Sequence, residues 1–508
     1  MIDTSDGFLP LFARRASAEP ERVFAHFGGK PYTFADLDGL SSKLANLLAR
    51  RGVSPGDHVA LMLKNSPLSL ALLFAIAKAH VVWVPVNVQA RGDNLGYILQ
   101  HCAPRLVIAD DDVIATIAAT GAPLADGSVV PASALEAELS TVATAPARAA
   151  VSAPDTDAPY AIMYTSGTTG RPKGVIVSHR MLRLSGEAVA LASAVDPGDV
   201  MFVWEPLFHI SGAQLIILPL IRDVALDFAE RFSASRFWAE VKAAKATHIH
   251  FLGGILQILL KQPPCELDRT HGVRIAWGGG CLREVWRPFE ERFGIQIREC
   301  YGMTECSSLT TANLNGAVGS VGTPVPWFDV KLLDAAGKLV ATGEQGEIVV
   351  TTSLPGALTR GYLNDRQATQ QALRGGAFHT GDLGSWDASG NMYFRGRISD
   401  SVRVRGENVS AAEVEGVVGQ HPSVEDCAMI GVAAEIGEQD IKLFVKPKAG
   451  AALDAAELSQ WLEPRLAPYQ RPRYIAIIKE FERTPSQRIM KHRLSRRTDD
   501  AWNRQGNR

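Results

Sequence analysis

"YTSGTTGRPKG", Tyr164 to Gly174, packs hydroxyls, glycines and one lysine into a short segment directly after the apolar run Ala161–Met163. A strand that opens into Gly, Ser and Thr can turn backbone N–H groups and hydroxyls toward a phosphate chain, because only glycine lets the backbone close in on the oxygens. Lys173 supplies a charge to neutralise them. The spacing is not that of a Walker A loop, which needs Lys directly after its second Gly; here Arg171 and Pro172 intervene. Such a loop belongs at the carboxyl edge of an open α/β sheet, where ligands gather.

The flanking sequence has the matching rhythm. From Thr33 to Arg51, Phe34 and five leucines recur at helical spacing behind a threonine cap. Short apolar runs then alternate with helical ones: "HVALML", "SPLSLALLFAIAKAH", "VVWVPVN" and "RLVIADD". This predicts β and α units with buried parallel strands. Residues 137–159, rich in Ala, Ser, Thr and Pro, read as a connector. Further strands are expected at "MFVWEP", "THIHFL", "VRIAWGGG" and "QIRECYGMTE", several ending in polar residues that converge on one site. From about Gly346, alternating segments with glycine turns predict antiparallel hairpins, and after Arg397 a compact α+β pattern follows. The expected fold is α/β: a large N-terminal domain over 1–397, made of α/β subdomains and a β-rich one, and a small α+β C-terminal domain over 398–508.

A chain of 508 residues exceeds what one core fills, and 46% hydrophobic with 21% charged residues is ordinary for a folded globular protein. A net charge of -2 leaves no electrostatic footprint for nucleic acid or an anionic membrane, so a small ligand is the expected partner. The apolar run Leu68–Val86 is broken by Lys78, His80 and Pro85, and the first residues lack a basic region before an apolar one. Neither a membrane span nor a signal segment is expected. The six cysteines, Cys102, Cys265, Cys281, Cys300, Cys306 and Cys427, show no CxxC spacing, which argues against a disulfide framework or zinc site and fits a reducing cytoplasm. Cys300 and Cys306 read as small core residues.

"TSGTTGRPKG" resembles, at essentially every position, the signature loop of the adenylate-forming superfamily: acyl-CoA synthetases, luciferases and the adenylation domains of peptide synthetases. "PLFHISG", "YGMTE", "TGDLG" and "FRGRISDSVRVRGENVS" resemble its further motifs, in order, over nearly the whole chain. The resemblance implies ATP, Mg2+ and coenzyme A, with a carboxylic acid joined to AMP and then passed to the thiol. It places Thr165, Ser166, Gly167, Thr168, Thr169, Gly170 and Lys173 on the phosphates, Tyr301, Gly302 and Thr304 at the adenine, Asp382 and Arg397 on the ribose hydroxyls, and Gly279 and Gly280 also among the residues that bind the cofactor. Glu305, with Thr165, would hold the metal. His209 would lie near the substrate carboxylate, and His250, Gly254, Trp277 and Gly278 would line the acyl pocket with it. Gly406 and Glu407, in "RGENVSAAEVE", would line the thiol tunnel after the mobile C-terminal domain swings about a hinge.

Two departures stand out. The family carries a catalytic lysine in a Pro-x-x-Gly-Lys context near the C-terminus; here "RTPSQRIMKHRL" puts Gln487 on the glycine and Arg488 on the lysine, with Lys491 as the rival. At the hinge, Ser399 stands where Asp or Lys is usual and is followed by Asp400, so either is the pivot. No acidic residue lies between Leu207 and Gln214, which disfavours an α-amino acid substrate. The glycines beside His250 and Trp277 leave room for a small or medium organic acid, aromatic or polar, and "VPVNVQARGDNLGYIL" resembles carnitine or crotonobetaine CoA ligase relatives. Two rival readings stay open: an enzyme loading a carrier protein, and a nucleotide-binding protein without catalysis. The oligomeric state is equally open, a homodimer included.

Overall fold

The computed structural model describes residues 6–142, 155–165, 171–404, 407–434, 439–483 and 489–506. The chain divides into two compact units. The first holds the described residues up to 329 together with 351–378, and the second holds 330–350 and the described residues from 379 on.

Two sheets organise the first unit. In the six-stranded sheet, Val129–Pro131, Leu106–Ala109, His58–Met62, Val82–Pro85 and Pro159–Thr165 run parallel, and Lys173–Ser178 returns antiparallel to Pro159–Thr165 with Thr165 opposite Lys173. The nine-stranded sheet has a parallel centre of Val200–Val203, His248–Leu252, Ile275–Gly279 and Gln296–Met303, so four runs expected as strands lie side by side. Behind it pack Phe202, Trp238, Phe251, Trp286, Phe289 and Phe293.

The helices follow from the sequence locally. Phe34–Arg50 begins with a capping box in which Thr33 and Asp36 satisfy each other's backbone N–H. Pro67–Lys78 has the same device in Ser66 and Ser69, and every side chain from Leu68 to Ala77 is buried. A helix apolar all round belongs inside a protein. That accounts for the long apolar run, whose Lys78 sends its ammonium to Asp38 Oδ1 at 2.6 Å. Among the described residues no helix is long and apolar enough to cross a membrane.

The second unit contains most of an antiparallel sheet, including Ala377–Trp386 paired with Met392–Arg397. It also holds a four-stranded sheet of Val424–Ala433, Gln439–Pro447, Tyr474–Ile477 and Trp502–Asn503, with Ala411–Val418 and Ala455–Leu462 packed on a core of Val414, Met429, Leu443, Val445, Leu458 and Leu462. The compact unit takes in 330–350 and 379–397, upstream of the boundary expected at Arg397, because Met392–Arg397 packs against Ala411–Val418 and Glu407–Ser410. The α/β class and the small C-terminal α+β region match the sequence reading.

Candidate active site

The phosphate-loop candidate connects Pro159–Thr165 to Lys173–Ser178. Ser166, Gly167, Thr168, Thr169 and Gly170 lie outside the described residues, as do Gly406 and Arg488. The anchors of the loop are described. Tyr164 shares a hydrogen bond of 2.7 Å with His101 Nδ1, and Arg171 stacks over the Tyr97 ring at 5.1 Å. Lys173 sits with its ammonium 5.3 Å from the centre of the Tyr362 ring.

Tyr362 is the residue that joins the loop to the acid. Its hydroxyl donates to Glu305 Oε1 at 3.0 Å, and its backbone bridges to Val175 beside Lys173. Burial and the neighbouring Glu305 carboxylate push the phenol well above its ordinary range, so it stays protonated as a donor. Glu305 is only 8% exposed, and its backbone carbonyl accepts from Thr359 N–H at 2.8 Å. The structure thus brings Thr165, Lys173 and Glu305 into one corner, which spacing alone did not join, through a tyrosine the sequence reading missed.

Tyr301, Gly302, Thr304 and Glu305 run from the end of Gln296–Met303 into a short 3-10 turn. Gly302 sits at a register shift against Ser308–Ala312, and a Cβ there would lie 1.7 Å from the Ser308 carbonyl oxygen. Only glycine permits that approach. Gly278, Gly279 and Gly280 end the neighbouring strand. Gly280 has φ +101° and its absent Cβ would meet Gly253 at 2.9 Å. Glu299, inside the same strand as Tyr301, accepts from Gly280 N–H at 2.6 Å and from Cys281 N–H at 3.1 Å. It therefore pins the glycine turn. Burial pushes its carboxyl up to about 8 despite those two donors.

His209 is exposed and caps the turn Ile210–Ala213. Ser211 N–H donates to its Nδ1 at 3.2 Å, so in the neutral ring Nε2 carries the proton. Asn65 clamps the preceding segment, donating to Glu205 carbonyl and accepting from Leu207 N–H, both at 2.8 Å. His250 and Trp277 are register partners on adjacent strands, with rings 4.2 Å apart. They are 2% and 0% exposed. His250 Nδ1 is hydrogen-bonded to Glu205 Oε1, and Gly254 begins the helical turn that follows its strand.

In the second unit, Asp382 and Arg397 are cross-strand partners, with Arg397 Nε 3.3 Å from Asp382 Oδ1. Asp382 N–H donates to Thr380 Oγ1, which holds Ile348 carbonyl at 2.7 Å. The two residues that the sequence motifs imply for the ribose thus lie side by side. Glu407 lies at the start of Glu407–Ser410. Lys491 Nζ is 2.8 Å from Glu415 Oε1 and 3.7 Å from Asp400 Oδ2. Burial raises the Glu415 carboxyl, the Lys491 ammonium lowers it, and the first effect prevails. Lys491 is thus engaged within its own unit, at the hinge candidate Asp400.

The residues suit magnesium. Mg2+ binds through one or two carboxylates together with substrate phosphates, and Glu305 is a single buried carboxylate beside a cationic phosphate-loop lysine. Among the described residues no group of three or more His, Cys, Asp or Glu could hold a metal unaided.

Comparison with known proteins identifies the family. Residues 12–363 match the model of the AMP-binding enzyme family, and 413–488 match that of its C-terminal domain. The chain belongs to this family, within the acyl-CoA synthetase branch of the adenylate-forming superfamily. It is 32% identical to human long-chain fatty acid transport protein 1, over 96% of this chain and 81% of that one. It is 31% identical to feruloyl-CoA synthase of an Amycolatopsis species, over 95% and 97%. Among solved structures it resembles o-succinylbenzoate coenzyme A synthetase of Bacillus subtilis in complex with ATP and magnesium ion, with a TM-score of 0.84, 25% identity, and 95% and 98% coverage.

Proposed function

We propose that the chain is an ATP-dependent ligase that activates a small or medium organic acid as an acyl adenylate and transfers the acyl group to coenzyme A in the cytoplasm. The supporting observation is the Lys173–Tyr362–Glu305 corner, with a cation suited to phosphate over the face of one ring and a carboxylate suited to magnesium at its hydroxyl. In the first step a substrate carboxylate oxygen attacks the α-phosphorus of ATP, and the bond to pyrophosphate breaks. Lys173 and the loop hydroxyls bear the charge that moves onto the leaving group. Glu305 and Thr165 would hold magnesium, which would supply further electrostatic stabilisation of the phosphates. Nε2–H of His209 orients the carboxylate, and Asp382 and Arg397 hold the ribose. In the second step the coenzyme A thiolate attacks the acyl carbon and AMP leaves.

Residues 398–508 serve as the mobile domain in this reading, with Gly406 and Glu407 on the thiol path and Arg488 as the adenylation cation. The engagement of Lys491 with Glu415 and Asp400 favours Arg488 over Lys491 in that role. The test is a panel of acids with ATP, Mg2+ and either CoA or a phosphopantetheinylated carrier protein. Equal amounts of AMP and acyl-CoA support the ligase. Thioester on the carrier alone makes it a loading enzyme, and an absence of acid-dependent AMP refutes catalysis.

A further inference from the structure

We infer that the buried Glu205–His250 pair sets substrate specificity by accepting a hydrogen bond from a hydroxyl carried by the acid, away from its carboxylate. This rests on the ligase reading above. Glu205 is 0% exposed and follows the strand Val200–Val203 at its carboxyl end, four positions before His209. That is the side of a parallel sheet on which ligands bind. On the adjacent strand His250 faces Trp277, the residue that leads directly into the glycine turn Gly278–Gly280. The pair therefore stands between the histidine at the reacting carboxylate and the turn flanking the acyl pocket.

The two oxygens of Glu205 differ. Oε1 takes the hydrogen bond from His250 Nδ1, whereas Oε2 is buried without a partner among the described residues. The loop around it is already committed elsewhere, since Asn65 spends both ends of its amide on the backbone at Glu205 and Leu207. A buried carboxyl oxygen without a hydrogen-bond partner destabilises the site. A hydrogen-bond donor on the substrate removes that cost on binding. A neutral hydroxyl does so without bringing a charge into the buried site. A site of this kind discriminates against the analogue lacking the donor, because its own polar group is then left unpaired. "MFVWEP" carried the signal, an acidic residue at the end of an otherwise apolar strand, with nothing in the sequence to name its partner.

The test is kcat/KM for AMP release over matched acids: benzoate, 4-hydroxybenzoate, cinnamate, 4-hydroxycinnamate, 4-methoxycinnamate, and dodecanoate with its ω-hydroxy form. Wild type, Glu205→Leu and Glu205→Gln are compared. In at least one pair, wild type prefers the hydroxyl member by tenfold or more, and the methoxy acid behaves like the parent because it fills space without donating. Glu205→Leu brings the ratio to one or inverts it. Glu205→Gln keeps the volume and an acceptor, so it folds and gives an intermediate ratio even where the leucine variant does not. Ratios near one for wild type in every pair, or equal losses on both members in the variants, overturn the assignment and leave the ligase intact. No acid-dependent AMP from any acid overturns both.

Discussion

Tyr362→Phe removes one oxygen from the corner that Glu305 shares with Lys173. The lost bond is 3.0 Å long, joins a protonated phenol to a carboxylate, and sits where Glu305 is only 8% exposed. A hydrogen bond to a charged group contributes about 1.5–3 kcal/mol, so a Glu305 that has lost this bond should lose on the order of 10- to 100-fold in its grip on Mg·ATP. The ring itself remains, so Lys173 keeps the aromatic face 5.3 Å from its ammonium and the phosphate contact is spared. The effect is therefore expected in magnesium dependence above all. Acid-dependent AMP formation titrated with Mg2+ at saturating acid and CoA should show the half-saturating Mg2+ concentration raised about tenfold or more, with activity recovered at high Mg2+. An unchanged Mg2+ curve, or a loss that no magnesium restores, refutes the positioning role of Tyr362.

Other residues give independent checks. Asp382→Ala should raise KM for ATP about tenfold or more, and 2′,3′-dideoxy-ATP should lose affinity on wild type but not on the variant; equal losses on both would remove Asp382 from the ribose. Arg488→Ala should depress acid-dependent pyrophosphate exchange more than Lys491→Ala. Lys491→Ala should instead lower the melting temperature, because it leaves Glu415 without its cation. The reverse order of the two exchange rates would transfer the catalytic role. For Glu299, whose carboxyl rises from an ordinary 4.5 to about 8, the folded state binds the proton more tightly than the unfolded one. Its contribution to stability is full below about 4.5 and is lost as pH rises through about 8. The stability of wild type relative to Glu299→Gln should therefore decline across that window in denaturant titrations; a flat difference would contradict the raised value.

Much of the fold was legible because local rules and burial agreed. Thr33 announced a helix that begins where its cap stands, and the apolar runs at Met201, Ile249, Ala276 and Ile297 became adjacent parallel strands. The return strand Lys173–Ser178 was not legible, since its pairing depends on a hairpin partner across the glycine loop. The nucleotide motifs were legible as motifs. Their supports were not: Tyr362 reaches Glu305 over a separation of 57, Asn65 reaches Glu205 over 140, and Glu205 reaches His250 over 45. Contacts at such separations leave no period in the sequence. His250 and Trp277 show the converse, since residue type suggested a pocket wall and the sheet register buried both against each other.

Adenylation at the Thr165–Lys173 loop is tested most directly by exchange of labelled pyrophosphate into ATP in the absence of any thiol, with Lys173→Ala and Glu305→Gln alongside. Label entering ATP only when a carboxylic acid is present, and failing to enter in both variants, is the expected result. Release of inorganic phosphate with ADP, or exchange that survives the loss of Lys173 and of Glu305, would contradict it.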